Sequence, residues 1–74
     1  MENVLKSYKA FLNGKRYIAE ISARKEGDGV SLDVFALDWK GTRNREFTKP
    51  FKNEFAALRG LKTHYPDADW QEAE

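Results

Sequence analysis

Aromatic and basic residues recur at alternate positions in the stretch of chain from Arg16 to Trp39. Strand residues change face at every step, so alternate residues share one face of a sheet. One such set contains Arg16, Ile18, Phe35 and Leu37 together with Trp39. Aromatic rings stack on unpaired bases and cations pair with phosphates, so this mixture has the components of a surface for single-stranded nucleic acid.

Neighbouring segments extend this candidate surface. The preceding strand adds a lysine and a phenylalanine, the end of the second strand adds Arg24, and the segment after Trp39 adds further cations at the sheet edge. In one register Trp39 faces Arg16, which permits a cation–π contact. The candidate nucleic-acid-binding residues are Lys9, Phe11, Arg16, Arg24, Phe35, Trp39, Lys40, Arg43 and Arg45.

The same surface has alternative interpretations. Five large apolar groups on an open sheet face form a patch that monomers rarely expose, so burial against a second copy or a partner protein is one alternative. Coverage by the C-terminal tail, through Trp70, is another. Glu20 and Asp33 share the face, and we interpret them as polar partners for its arginines and lysines. A dimer interface and a nucleic-acid platform are compatible with each other.

The sequence gives little support for catalysis. The chain has one histidine and no cysteine, which excludes Cys/His and multi-histidine metal sites. No serine lies in a Gly-x-Ser-x-Gly turn, and Gly27-Asp28-Gly29 joins two strands without a following helix, so it is a turn and not a phosphate loop. We therefore expect neither an enzyme nor a bound cofactor or metal.

Two hairpins position the candidate residues. Residues Val4 to Leu12 alternate, and Asn13-Gly14 favours a two-residue type I′ turn, which pairs Ala10 with Tyr17. The second turn, Glu26-Gly27-Asp28-Gly29, is predicted to close on Gly27-Asp28 or on Asp28-Gly29. The third strand then runs from about Val30 to Leu37 or Trp39. The core face predicted by both hairpins consists of Tyr8, Ala10, Tyr17, Ala19, Ile21, Ala23, Val30, Leu32, Val34 and Ala36.

A fourth strand and a helix complete the domain. Residues Arg43 to Thr48 predict a short polar strand whose core contact is Phe47. From Phe51 to Tyr65 the large apolar residues follow helical spacing, with Pro50 expected in the first turn and Pro66 after the end. The apolar stripe of this helix consists of Phe51, Phe55, Leu58, Leu61 and Tyr65. Gly60, within the helix, is expected to allow close approach to a strand or a second copy.

The charge distribution and the small size of the chain bear on its binding partners and its oligomeric state. All 13 basic residues lie in residues 1–66 beside eight of the twelve acidic residues, so this part carries +5, whereas residues 67–74 carry four acids and no base. A basic body with an acidic tail is compatible with a polyanion-binding surface. A 74-residue domain buries only about 60% of its unfolded surface, so dimerisation is a plausible source of stability.

The composition also bears on location. The first residues show no basic region followed by a long apolar run, and no stretch approaches 18 apolar residues, so we expect neither a signal peptide nor contact with a membrane. The absence of cysteine fits a reducing compartment. The sequence therefore predicts a cytoplasmic protein.

Four short segments resemble a known family. They are Tyr17-Ile18-Ala19-Glu20-Ile21, Gly27-Asp28-Gly29-Val30-Ser31-Leu32-Asp33-Val34, Arg43-Asn44-Arg45-Glu46-Phe47 and Phe51-Lys52-Asn53-Glu54-Phe55. This pattern resembles Pur-alpha-type repeats and the single-stranded-DNA-binding transcriptional coactivators of the positive-cofactor type. The resemblance implies binding of single-stranded DNA or RNA by strand-borne cations and aromatics, and a homodimer built through the helix. It assigns contacts to Arg16, Arg24, Phe35, Trp39, Arg43 and Arg45.

Together these patterns predict an α+β protein, a four-stranded antiparallel meander sheet followed by one C-terminal helix (β-β-β-β-α). Residues 1–66 are expected to form the domain and residues 67–74 an acidic tail of undetermined structure. The leading functional hypothesis is a non-catalytic, homodimeric module for single-stranded DNA or RNA. The alternative is a protein–protein interaction or inhibitor module that uses the same face.

Overall fold

The computed structural model describes residues 4–24 and 27–73. Its strands are β1 (Val4–Leu12), β2 (Lys15–Ala23), β3 (Val30–Leu37), β4 (Arg43–Phe51) and β5 (Gln71–Ala73), and helix α1 (Glu54–His64) lies between the last two. The strands form one sheet in the order β4-β3-β2-β1-β5, with antiparallel neighbours. The predicted α+β class and β-β-β-β-α order are confirmed, with a short fifth strand after the helix.

The first hairpin has the predicted turn and register. Asn13 and Gly14 adopt φ angles of 53° and 79°, which are the left-handed values that a type I′ turn requires. Leu12 then pairs with Lys15, and Ala10 pairs with Tyr17. Because side chains alternate, this register places Ala10, Ala19 and Ile21 on one buried face.

The second hairpin keeps the predicted faces but not the predicted register. Ala23 pairs with Val30, so the connection is longer than the two-residue turn expected on Gly27-Asp28 or Asp28-Gly29. Either predicted turn shifts the pairing by an even number of residues, which leaves every side chain on its face. Glu26, from the same predicted turn, lies outside the described residues, as do residues 1–3 and Glu74.

The boundary between β4 and the helix differs from the prediction. β4 continues to Phe51 and includes Pro50, which was expected in the first helical turn. A proline is tolerated there because β4 is an edge strand and need not donate every N–H group. The helix instead begins at Glu54, and the Asn53 side chain caps it by accepting a 2.8 Å hydrogen bond from the backbone N–H of Ala56.

The helix packs on the buried face of the sheet through small and branched residues. Ala57 and Leu61 are completely buried, whereas Phe55, predicted in the apolar stripe, is 70% exposed. The helix begins three residues later than its apolar spacing suggested, and the stripe that contacts the sheet is centred on Ala57 and Leu61. Because 3.6 residues make one turn, Phe55 lies almost opposite Ala57 and faces away from the sheet. Gly60 lies against the Phe51 ring: a Cβ atom there would lie 2.4 Å from Cζ. The expected close approach of Gly60 to a strand is confirmed.

The C-terminal segment returns to the sheet. Trp70 is only 9% exposed, and its ring packs edge-to-face on the Tyr65 ring with 5.8 Å between the ring centroids. β5 then pairs with β1. Lys6 Nζ donates to Glu72 Oε2 at 3.1 Å across this pair, and that hydrogen bond raises the pKa of Lys6. The tail, whose structure the sequence left open, thus docks through Trp70 at the edge of β1. No helix within the described ranges is long and apolar enough to cross a membrane.

Candidate nucleic-acid interface

The sheet face opposite the helix carries two cross-strand rows of apolar and basic side chains. We call this surface the open face. Row one follows the pairs Phe11–Arg16, Arg16–Leu37 and Leu37–Arg43. Row two follows the pairs Lys9–Ile18, Ile18–Phe35 and Phe35–Arg45. Neither row contains a carboxylate, so four cations and four apolar side chains occupy one end of the open face.

The apolar members of these rows differ in exposure. Phe11 is 66% exposed and stands free at the β1 end of row one. Ile18, Phe35 and Leu37 are half-buried between their neighbours and form the floor of the surface. A ring that projects beyond a flat apolar floor offers one face for stacking, and the floor offers a second apolar contact.

Two arginines flank the Phe35 ring. The guanidinium carbons of Arg43 and Arg45 lie 5.3 and 5.5 Å from the ring centroid, within cation–π range. Because β4 is the edge strand, both guanidiniums remain largely exposed to solvent. This cluster therefore combines an aromatic ring with two cations accessible to a phosphate.

A third row of acidic residues adjoins the first two. Glu20 pairs with Asp33 across β2 and β3, and each carboxylate meets an arginine from β4. Arg43 Nη1 lies 3.1 Å from Glu20 Oε2, and Arg45 Nε lies 3.7 Å from Asp33 Oδ1. The interpretation of Glu20 and Asp33 as polar partners of arginines is confirmed. These contacts orient the arginine heads over Phe35 and mark the boundary of the basic area.

A β-bulge in β4 places the side chains of Arg43 and Arg45 on the open face of the sheet. Val34 pairs with Phe47 but Phe35 pairs with Arg45, so Glu46 is an extra residue in the strand. Without this bulge, alternation would place Arg43, Arg45 and Phe47 on one face. With it, Phe47 packs against the core while Arg43 and Arg45 lie on the open face. No residue type or spacing in this segment is a specific signal for the bulge.

Trp39 lies beyond the end of β3. The strand ends at Leu37, one of the two ends predicted for it, and Leu37 pairs with Arg16, so the register that would place Trp39 opposite Arg16 is not formed. The following turn is held by the Asp38 carboxylate, which accepts from the backbone N–H groups of Lys40 and Thr42 at 2.9 Å. Trp39 is 88% exposed on this turn, and Lys40 Nζ lies 5.1 Å from its ring centroid. Trp39 and Lys40 therefore project from the end of the sheet next to row one.

Arg24 is not brought to the cationic rows. It follows the last residue of β2, whereas Arg16 and Ile18 lie near the beginning of that strand. Its backbone N–H donates to the Gly29 carbonyl at 3.4 Å, at the far end of the hairpin. The other eight predicted contact residues cluster at the opposite end of the sheet.

Two polar residues beside rows one and two, Asp69 and Gln71, were not among the residues predicted from the sequence. A cavity of about 550 Å³ lies over Ile18, Leu37 and the backbone near Ala10, and Asp69 and Gln71 form its outer wall. Gln71 reaches this position because it pairs with Lys9. The alternation of Asp69, Trp70 and Gln71 was the available signal, since a buried Trp70 directs its two neighbours to the opposite face.

Comparison with protein-family models, curated proteins and solved structures finds no match to this chain.

Proposed function

We propose that the open face binds single-stranded nucleic acid and that the protein is a binding module without catalytic activity. The observation that carries the proposal is the segregation of four cations and two aromatic rings into rows one and two, without a carboxylate in either row. The exposed Trp39 ring adds a third aromatic surface beside them. The resemblance to Pur-alpha-type repeats stays a prediction and agrees with this function.

The two components of the surface match the two components of a single strand. Phosphates are attracted to Lys9, Arg16 and the β4 arginines, and this attraction is independent of sequence. Unpaired bases stack on rings such as Phe11 and Trp39, and each stacked base contributes about 1–3 kcal/mol. A duplex hides its base faces, so exposed rings among cations favour a single strand over a duplex.

The acidic third row limits the direction in which a bound nucleic-acid strand can cross the sheet. Glu20 and Asp33 repel phosphates that approach the middle of the sheet, although their pairing with Arg43 and Arg45 reduces that repulsion. A bound strand is therefore expected to follow rows one and two, across the protein strands rather than along them.

Replacement of one lysine on the open face tests the proposal. In Lys9→Ala, loss of one phosphate contact is expected to weaken binding of an oligothymidylate about threefold or more and to make the salt dependence shallower by about 0.7 in log–log slope. The measurement is fluorescence anisotropy of a labelled oligonucleotide over a series of salt concentrations. Lys62→Ala is the control because Lys62 is exposed in the last turn of the helix, away from this face.

Lys62→Ala removes the same charge as Lys9→Ala. Equal losses of oligonucleotide affinity in the two variants would show only a general electrostatic effect and would contradict the proposal. Absence of any binding at low salt would also contradict it. Circular dichroism checks that both variants keep the fold.

A protein partner is the second candidate for the same face. The observation that favours it is the pairing of Arg43 with Glu20 and of Arg45 with Asp33, since ion pairs beside an apolar floor also suit a protein surface. A nuclease-resistant, stoichiometric protein complex with no affinity for oligonucleotides would favour this candidate. The homodimer and the cytoplasmic location predicted from the sequence both stay predictions.

A further inference from the structure

A second basic groove lies on the other side of β4, between that strand and the helix. Its cavity of about 490 Å³ is formed by alternate residues of β4 and by one side of the helix. The cationic side chains at its edge are Lys49 and Arg59, and both are exposed. The groove residues are Phe47, Lys49, Phe51, Ala56, Arg59, Gly60, Thr63 and His64.

The groove has an aromatic floor and basic walls. The imidazole of His64 lies 4.2 Å from the Phe47 ring, and Lys49 Nζ lies 5.5 Å from the Phe51 centroid. Gly60 keeps the Phe51 ring accessible because a Cβ atom at that position would collide with it. None of the described residues that line the groove is acidic. Its charge therefore complements an anion that also carries flat apolar groups.

The groove is continuous with the cationic rows. Row one and row two both end on β4, at Arg43 and Arg45. After the bulge at Glu46, alternate side chains of the same strand, beginning with Phe47 and Lys49, lie on the helix side and line the groove. Arg45 pairs with Phe35 and Lys49 pairs with Leu32, so the two basic residues are three residues of β3 apart, which is about 10 Å along a strand. Because β4 is an edge of the sheet formed by residues 4–24 and 27–73, no strand among these residues separates the two surfaces.

Three carboxylates border the part of this path on the open face: Glu20 and Asp33 pair with Arg43 and Arg45, and Asp69 lies beside the rows at the far edge of the sheet. Asp69 and Glu72 lie at the opposite edge of the sheet, beside β5. At the β4 edge, Glu46 is exposed in the bulge and does not line the groove. The described lining residues include Lys49 and Arg59 and no carboxylate, so this part of the groove is the open entrance for phosphate.

We infer that a single nucleic-acid strand bound on the open face continues over the β4 edge into the groove between β4 and the helix. Arg59 and Lys49 bind its phosphates there, and the exposed parts of Phe47 and Phe51 contact a base. This inference rests on the proposed function and adds a second binding segment to it. It predicts that longer strands gain contacts that short strands lack.

The test compares oligothymidylates of about six and twelve nucleotides, which span the site sizes typical of single-strand-binding domains. With the unmodified protein, the longer strand is expected to show a salt slope steeper by about 1.4, as two added phosphate contacts require. Sedimentation measures the mass of the complex and so checks that one protein chain binds each oligonucleotide strand.

The variant Arg59→Ala is expected to lose about 0.7 of the added slope for the longer strand and to leave the shorter strand unchanged. Arg59→Lys is expected to restore the slope, and Lys62→Ala, which removes a helix charge outside the groove, is expected to leave both strands unchanged. Arg59 is exposed, so its replacement should leave the fold intact.

Equal salt slopes for the two lengths would overturn the inference while leaving the proposed function standing. Equal weakening of both strands in Arg59→Ala would also overturn it. If neither strand binds at low salt, the proposed function fails and this inference fails with it.

Discussion

At the scale of residues, the environment of Phe35 explains how exposed arginines are held ready for a ligand. Arg43 and Arg45 lie over its ring, and Glu20 and Asp33 hold their guanidinium groups. The arginine side chains are about half exposed, whereas the Glu20 and Asp33 side chains are only 14% and 18% exposed, so a phosphate is expected to bind the remaining N–H groups of each guanidinium while the ion pairs stay in place. The arginines are thus positioned without being withdrawn from binding.

The stacking role of Phe11 is testable at the same scale. Phe11→Ala is expected to weaken binding of a single strand by about 1–3 kcal/mol, the contribution of one stacked base. Phe55→Ala is the matched control, since Phe55 is 70% exposed and Phe11 is 66% exposed, but Phe55 lies on the helix. The measurement is oligonucleotide affinity together with the free energy of unfolding in urea.

Both replacements remove an exposed ring, so each should change the free energy of unfolding by less than about 1 kcal/mol. If Phe11→Ala and Phe55→Ala have the same affinity for the strand, the open face is not the stacking surface.

At the scale of elements, the first hairpin was predictable because a local turn signal and the alternation of apolar residues gave the same register. Asn13-Gly14 determines the turn, and the pairing of Ala10 with Tyr17 follows. The bulge at Glu46 was not predictable, because it depends on Phe47 reaching the core and on arginines that tolerate solvent on either face. Helix length was overestimated because Pro50 is compatible with an edge strand as well as with a first helical turn.

Helix packing provides a stability prediction at this scale. Gly60→Ala is expected to lower the free energy of unfolding by about 1 kcal/mol, because overpacking costs about 1–3 kcal/mol and the gain in helix propensity is about 1 kcal/mol. The physical cause is the 2.4 Å approach of the new Cβ atom to Cζ of Phe51. Urea unfolding measures the change.

Shortening the facing side chain should reverse the sign of this effect. In a Phe51→Leu background the ring-tip atoms are absent, so Gly60→Ala is expected to stabilise the protein by up to about 1 kcal/mol. An equal effect of Gly60→Ala in both backgrounds would show that the Gly60–Phe51 contact does not determine the packing distance.

At the scale of the whole molecule, the two edges of the sheet carry opposite charge. The β4 edge presents Arg43, Arg45 and Lys49, whereas the β5 segment presents Asp69 and Glu72. The sequence showed a basic body and an acidic tail, but the docking of Trp70 against Tyr65 depends on the assembled core and could not be found by periodicity. This docking places the acids at one edge and leaves the other edge available to a polyanion.

The central claim, that the open face binds a single strand, is tested most directly by a ¹H–¹⁵N nuclear magnetic resonance titration with a short oligothymidylate. The amide shifts with the largest changes are expected in rows one and two, among them those of Lys9, Phe11, Arg16 and Ile18. The amides around Lys62, on the exposed side of the helix, should change little. Changes confined to the helix, or no changes at low salt, would show that the open face does not bind a single strand.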